Sequence, residues 1–144
     1  MKLSTRTRYG MRAVIELANS RKAGPVQLRV ISERQDISIK YLEQLIAVLK
    51  SAGIVRSIRG AKGGYVLAKP PNKTKLSEIF TALEGPFTTV ECVVNENYCE
   101  RIADCAARQV WLKVQDAVMD TLRSITLQDL VDSTKGKKTL EYSI

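Results

Sequence analysis

The sequence predicts a mainly helical, α+β fold: short amphipathic helices closed by a glycine-rich hairpin, then a cysteine-bearing loop and one long C-terminal helix. Three observations carry this. Apolar residues recur at helical spacing through most of the chain, the period changes to that of strands around a glycine cluster at residues 60–64, and the broadest apolar stripe follows the last cysteine.

Residues 4–19 place apolar or small groups at positions 10/11, 13/14 and 17/18 behind Ser4 and Thr5, the pattern of a capped helix with Arg6, Arg8 and Arg12 on its polar side. Ser20 to Val26, with Gly24-Pro25, reads as a turn, because proline disfavours helix in the residue before it. Leu28, Val30, Ile31 and Arg34 start a second, short helix, and Asp36-Ile37-Ser38 breaks it. Ile39, Leu42, Leu45, Ile46 and Leu49 then mark one face of a third helix for which Ser38 is the N-cap. Past Gly53, Ile54-Val55 and Ser57-Ile58, the segment Arg59-Gly60-Ala61-Lys62-Gly63-Gly64 and Tyr65-Val66-Leu67 form strand, turn and strand. Pro70-Pro71 is a stiff connector, and Leu76, Ile79, Phe80 and Leu83 make a short helix stopped by Gly85-Pro86.

Phe87 to Asp104 shows no clear period and reads as a non-helical loop. From Cys105 an apolar stripe runs through Ala107, Val110, Trp111, Val114, Ala117, Val118, Thr121, Leu122 and Ile125, about five turns or roughly 30 Å. Such a face must be buried, and the natural cover is the same helix of a second copy, with Val110, Trp111, Val114, Val118 and Leu122 at the dimer interface; the competing reading is a core helix packed on its own domain. The expected organisation is therefore 1–73 as one unit, 74–132 as short helix, cysteine loop and dimerisation helix, and 133–144 as a flexible polar tail.

The 144 residues carry a formal charge of +8, unevenly spread. Residues 1–73 hold 15 Lys and Arg against 4 Asp and Glu, a balance of +11, and residues 74–144 hold 8 against 11, a balance of −3. A basic half joined to a mildly acidic one suits a polyanion-binding half beside a non-binding one, since cations near a duplex release its condensed counterions; solubility alone is the plainer explanation. No apolar run reaches the roughly 18 residues of a membrane span, and the first residues lack a secretory apolar region, so a cytoplasmic protein is expected. With no histidine and no paired acid and base outside loop carboxylates, an enzyme is not expected.

Helix, break, helix and glycine hairpin is the order of a winged helix-turn-helix, whose second helix enters the major groove of duplex DNA. The candidates on its outer side are Ser38, Lys40, Tyr41, Glu43 and Gln44, joined by Arg56, Arg59 and Lys62 around the hairpin. Glu43 stands out, because a carboxylate repels phosphates: it either accepts from cytosine or rejects wrong sites, unless it is a surface residue paired with lysine. An arginine at a narrow tip can enter a minor groove and respond to its width.

Three cysteines, Cys92, Cys99 and Cys105, lie in one loop, an odd number that argues against a disulfide framework. Three thiolates can converge on one metal centre, with Glu96, Glu100 or Asp104, a small molecule or a partner group as fourth ligand. An iron-sulfur cluster, zinc and a thiol redox switch all remain open on spacing alone.

With both constellations in view, the chain resembles the IscR and NsrR group of winged-helix transcription regulators over nearly its whole length. The matching residues are Met1-Lys2-Leu3-Ser4-Thr5-Arg6 with Tyr9-Gly10, Ile37-Ser38 with Tyr41-Leu42-Glu43-Gln44-Leu45, Gly53-Ile54-Val55-Arg56-Ser57, Arg59 to Tyr65, and the three cysteines. The resemblance implies a homodimer crossed through the long helix, with the 4–19 helix also at that interface, DNA reading by second helix and wing, and a cluster on Cys92, Cys99 and Cys105. In the iron-sulfur biogenesis members the residue matching Glu43 helps choose between DNA site classes according to cluster occupancy. Its presence here favours that branch: a bacterial, cytoplasmic regulator, mainly a repressor, of iron-sulfur biogenesis genes, with the assembly machinery as a further partner. Two departures stand beside it. The first cysteine gap is one residue longer than the group's usual five, and the position three after the last cysteine, histidine in the biogenesis regulators, is Arg108. A [2Fe-2S] cluster is the first expectation and a [4Fe-4S] cluster of the nitric-oxide-sensing kind the second. The alternative functions are a nitric-oxide or thiol-sensing repressor of the same fold and, from a different class, a small iron-sulfur electron carrier.

Overall fold

The computed structural model describes residues 2–142, with side chains through Lys135; Met1 of the N-terminal match and the last two residues of the expected tail lie outside the described residues. Helix α1 (Thr5–Asn19) opens on Ser4, whose hydroxyl accepts from the Thr7 N–H at 3.1 Å. It buries Ala13, Val14, Leu17 and Ala18. Helices α2 (Leu28–Gln35) and α3 (Ile39–Ser51) pack on it, adding Ile31 and then Leu42, Leu45, Ile46 and Leu49. A polar clip fastens α2 to α1: Glu16, 9% exposed, accepts from Arg34 at 2.7 Å and from the Gln35 amide at 2.9 Å.

Strands β1 (Val55–Ile58) and β2 (Gly64–Leu67) form the antiparallel hairpin, with Val55 opposite Leu67 and Ile58 opposite Gly64. Val26 pairs with Tyr65 through two backbone hydrogen bonds, 3.0 and 2.8 Å, so the hairpin is tied to the α1–α2 connection. Helix α4 (Leu76–Glu84) crosses α1 where Gly10 faces Leu83, and a Cβ on Gly10 would stand 2.6 Å from the Leu83 methyls. Only glycine permits that approach.

Three sequence expectations change. Ile39, taken for the buried face of α3, is 43% exposed, because it is the helix's first residue and precedes the first turn that faces the core. The segment Phe87 to Asp104 holds a one-turn helix, α5 (Glu91–Val94), carrying Cys92, and a 3-10 turn at Ile102–Asp104. Finally, the long α6 (Ala106–Ser124) is followed by α7 (Leu127–Tyr142), which runs through the stretch expected as a loose tail. Leu127 and Val131 of α7 are buried in the core shared with α1 to α4, and Leu127 N–H donates to the Thr74 carbonyl at 2.9 Å. Among the described residues no helix is long and apolar enough to cross a membrane.

Candidate nucleic-acid interface and cysteine loop

The α2–α3 corner is built by local chemistry. Asp36 adopts the left-handed conformation (φ 54) that ends α2, and Ser32 Oγ donates to the Ile37 carbonyl at 2.6 Å. Ser38 then caps α3, its hydroxyl accepting from the Tyr41 N–H at 3.2 Å. Two candidates are thereby partly committed to structure, Ser38 as cap and Tyr41 as packing: Tyr41 is half-buried, edge-on to Tyr9 with ring centroids 6.1 Å apart. Lys40, Glu43 and Gln44 are exposed along the opposite side. Glu43 forms no hydrogen bond or ion pair among the described residues, so it is not the paired surface carboxylate of the plainer reading. Ile39, absent from the sequence-level candidates, adds an exposed apolar group beside Lys40, the kind that meets a thymine methyl.

The hairpin stands next to this edge. Its tip is tight enough that glycine is required twice. A Cβ on Gly63 would sit 2.2 Å from the Ile58 carbonyl oxygen, and Gly64 (φ 150) faces the Val26 backbone at 2.6 Å. Arg59 and Lys62 project from it, exposed and without ion pairs among the described residues. Tyr65, Glu43, Ala47 and Lys50 line a shallow cleft of about 330 Å³ joining α3 to the wing. Arg56 is not part of that cleft. It sits one position along β1, on the opposite face of the hairpin, beside Leu17 and Arg21.

The cysteine loop hangs between α4 and α6. Phe87 stacks edge-on against Phe80 at 5.7 Å, Thr89 N–H donates to Gln115 Oε1 at 3.2 Å, and Thr89 Oγ1 donates to the Trp111 carbonyl at 3.3 Å. Arg108 Nε donates to the Cys92 carbonyl at 3.0 Å, so the arginine at the variant position fastens α5 to the first turns of α6. Cys92 and Cys105 are half-buried, Cys99 is exposed, and all three are free thiols. Glu96, Glu100 and Asp104 are exposed. Three soft sulfur donors without histidine suit an iron-sulfur cluster in kind. Their placement does not: among the described residues no three Cys, Asp or Glu side chains gather closely enough to hold one metal ion, so a cluster requires this loop to fold further.

The loop's stem is joined to α1 by a carboxylate. Glu84, the last residue of α4, accepts from Ser4 Oγ at 2.8 Å, from Ser4 N at 3.4 Å and from Thr7 Oγ1. Those hydrogen bonds, the Thr7 hydroxyl's foremost, hold its carboxyl below the ordinary value of 4.5. The face of α6 is largely uncovered: Val110, Trp111 and Val114 are 51%, 40% and 43% exposed, and Val114, Ala117, Val118, Thr121 and Leu122 line an open apolar groove of about 410 Å³.

A family model described as "Rrf2: Iron-dependent Transcriptional regulator" matches residues 3–133. The HTH-type transcriptional regulator CymR of Bacillus subtilis is 42% identical over 138 residues, 96% of this chain and 95% of that protein. Among solved structures, that of CymR, titled the global cysteine regulator of B. subtilis, superposes with a TM-score of 0.79 at 41% identity, covering 92% of this chain and 98% of that one. The structure of T. potens IscR superposes with a TM-score of 0.77 at 40% identity, covering 93% and 88%.

Proposed function

Given that this chain belongs to the Rrf2 family and is a DNA-binding transcriptional regulator, not an enzyme, we propose that it is a homodimeric repressor acting on operator DNA in the bacterial cytoplasm, with the Cys92–Cys105 loop as its sensing segment. Family membership replaces the electron-carrier reading. The observation that carries the proposal is the exposed edge of Ile39, Lys40, Glu43 and Gln44 standing beside a wing whose Arg59 and Lys62 have no partner in the described fold. In this reading α3 sits in the major groove, Glu43 discriminates between sites, and Arg59 enters the adjacent minor groove.

Cys92, Cys99 and Cys105 would hold an iron-sulfur cluster, [2Fe-2S] in the first instance and [4Fe-4S] in the second, and a bound cluster would supply a centre whose presence follows iron supply and oxidants. The controlled genes would then be those of cluster biogenesis, with the assembly machinery as the source of the cluster. The chain's own contribution is mechanical. Arg108 and Thr89 hold the first half of the loop on α6, and Glu84 joins the loop's stem to the N-terminus of α1, on which α3 packs. Reordering the loop would bias that joint, an order-disorder switch of a familiar kind. The second reading, a thiol or cysteine-status sensor, is favoured by the likeness to a cysteine regulator and by three free thiols, of which Cys99 is exposed.

Anaerobic purification with assay of iron and acid-labile sulfide separates the readings. About two of each per chain supports the biogenesis regulator and about four the nitric-oxide-sensing kind; protein that holds no iron either as isolated or after iron-sulfur reconstitution contradicts the cluster and leaves zinc or the thiol sensor.

A further inference from the structure

The hairpin has two faces, and only one is turned to α3. Along a strand successive side chains point to opposite sides, so Ser57 and Tyr65 share one face and Arg56 and Val66 the other. Tyr65 joins the α3 cleft. Arg56 and Val66 line a separate, smaller cleft of about 230 Å³, closed by Leu17 of α1, by Arg21 just after that helix and by Leu67 and Lys69 at the foot of β2.

Its charge is one-sided. The Arg21 and Arg56 side chains form no hydrogen bond or ion pair among the described residues, and no Asp or Glu lines the cleft. Lys69 is held by Glu78 at 2.7 Å, and the other oxygen of that carboxylate accepts from the Lys75 N–H at 2.9 Å, so the acid is committed to fixing Lys69 and capping α4. The two uncompensated cations, Arg21 and Arg56, beside one small cleft repel each other and are relieved by an anion. The floor of Leu17, Val66 and Leu67 is apolar, which suits a charged head carried on a less polar stem, as a phosphate is on deoxyribose.

A wing in a minor groove, about 6 Å wide, is flanked by two sugar-phosphate strands. The α3 side of the hairpin meets one, and its outer face is turned to the other. We propose that Arg21 and Arg56, above the Lys69–Glu78 pair, form a phosphate cleft that takes a DNA backbone phosphate on the side of the wing away from α3. The contact widens the footprint of each protomer and contributes affinity without sequence information. It rests on the DNA-binding reading above.

The test is the salt dependence of binding to a selected operator and to a random duplex, for the full-length wild type, the Arg21→Ala/Arg56→Ala double variant, the corresponding double lysine variant and Arg59→Ala. Each lost phosphate contact lowers the slope of log affinity against log salt by about 0.9. The double alanine variant should lose about one unit of slope per protomer and weaken operator and random DNA by the same factor, while the lysine variant keeps most of both. Arg59→Ala should instead lower the operator-to-random ratio. An unchanged slope in the double alanine variant, with circular dichroism showing it folded, overturns the proposal. So does a variant that keeps its DNA slope but loses thermal stabilisation by inorganic phosphate, since the cleft would then serve a free anion. If the DNA-binding reading itself is wrong, wild type shows no preference for any selected duplex and Arg59→Ala is silent as well, a result distinct from either.

Discussion

Glu84 receives three hydrogen bonds from the first residues of α1. Its lowered pKa means that the folded chain binds its proton less readily than the unfolded chain does. The stabilisation is therefore fully present above the ordinary carboxylate value and is lost as the pH falls through the lowered one. Denaturant midpoints measured against pH should be flat above about pH 5 and drop below it, and Glu84→Gln should start lower at neutral pH and fall less. A parallel acid limb in both proteins would remove Glu84 from that role. At the wing tip, Gly63→Ala drives a Cβ into the Ile58 carbonyl, a backbone atom with nowhere to retreat. Operator affinity should fall by about tenfold or more, roughly 1.4 kcal/mol, while the circular dichroism spectrum is kept. At this scale the sequence revealed whatever depends on neighbours a few residues away: Ser38 as cap of α3, Gly63 and Gly64 as turn residues, Lys40, Glu43 and Gln44 on one helix side. Which face of a strand a residue takes depends on register, so Arg56 could be placed near the wing but not on its outer side. Ile39 was misassigned because periodicity cannot tell a first-turn residue from a core one.

Among elements, α1 to α4 and the hairpin were legible because each carries its own period and its own stop signal. Helix α7 was not. Among the described side chains of α7 Leu127 and Val131 are the two buried ones, a lysine-rich run follows them in the sequence, and what holds them is tertiary: the Leu127 N–H to Thr74 bond, the Leu76 N–H to Ile125 bond at 3.0 Å, and packing against α1. Leu127 is 0% exposed, so Leu127→Ala should cost about 2–5 kcal/mol in the unfolding free energy from urea titration. A loss below about 0.5 kcal/mol would mean that α7 is not part of the core. Helix α5 escaped notice for a different reason. One turn is too short to show a period, and it is fixed from outside, by Arg108 on the Cys92 carbonyl.

For the whole molecule, α6 is a long helix whose Val110, Trp111 and Val114 stay exposed among the described residues. Covered by a second copy, Val110, Trp111 and Val114 would complete the dimer that places two α3 helices on one operator. A Trp111→Glu/Val114→Glu variant should sediment as a monomer with its helical content intact and lose operator affinity; a variant that stays dimeric would put the interface elsewhere. The charge division between the halves of the chain also maps onto the fold, since the exposed cations of the wing, Arg59 and Lys62, and those of α3 and the outer cleft all lie before residue 74. What linear spacing could not supply is the arrangement of the three thiols, because it depends on how far the loop folds back on α6. The coupling of that loop to DNA is tested by one comparison. The dissociation constants of wild type and Cys99→Ala for a selected operator and for random duplex are measured at one salt concentration, without oxygen and after iron-sulfur reconstitution. A changed operator affinity or operator-to-random ratio in Cys99→Ala is the expected result; identical values in both proteins would show that the cysteine loop does not control DNA binding.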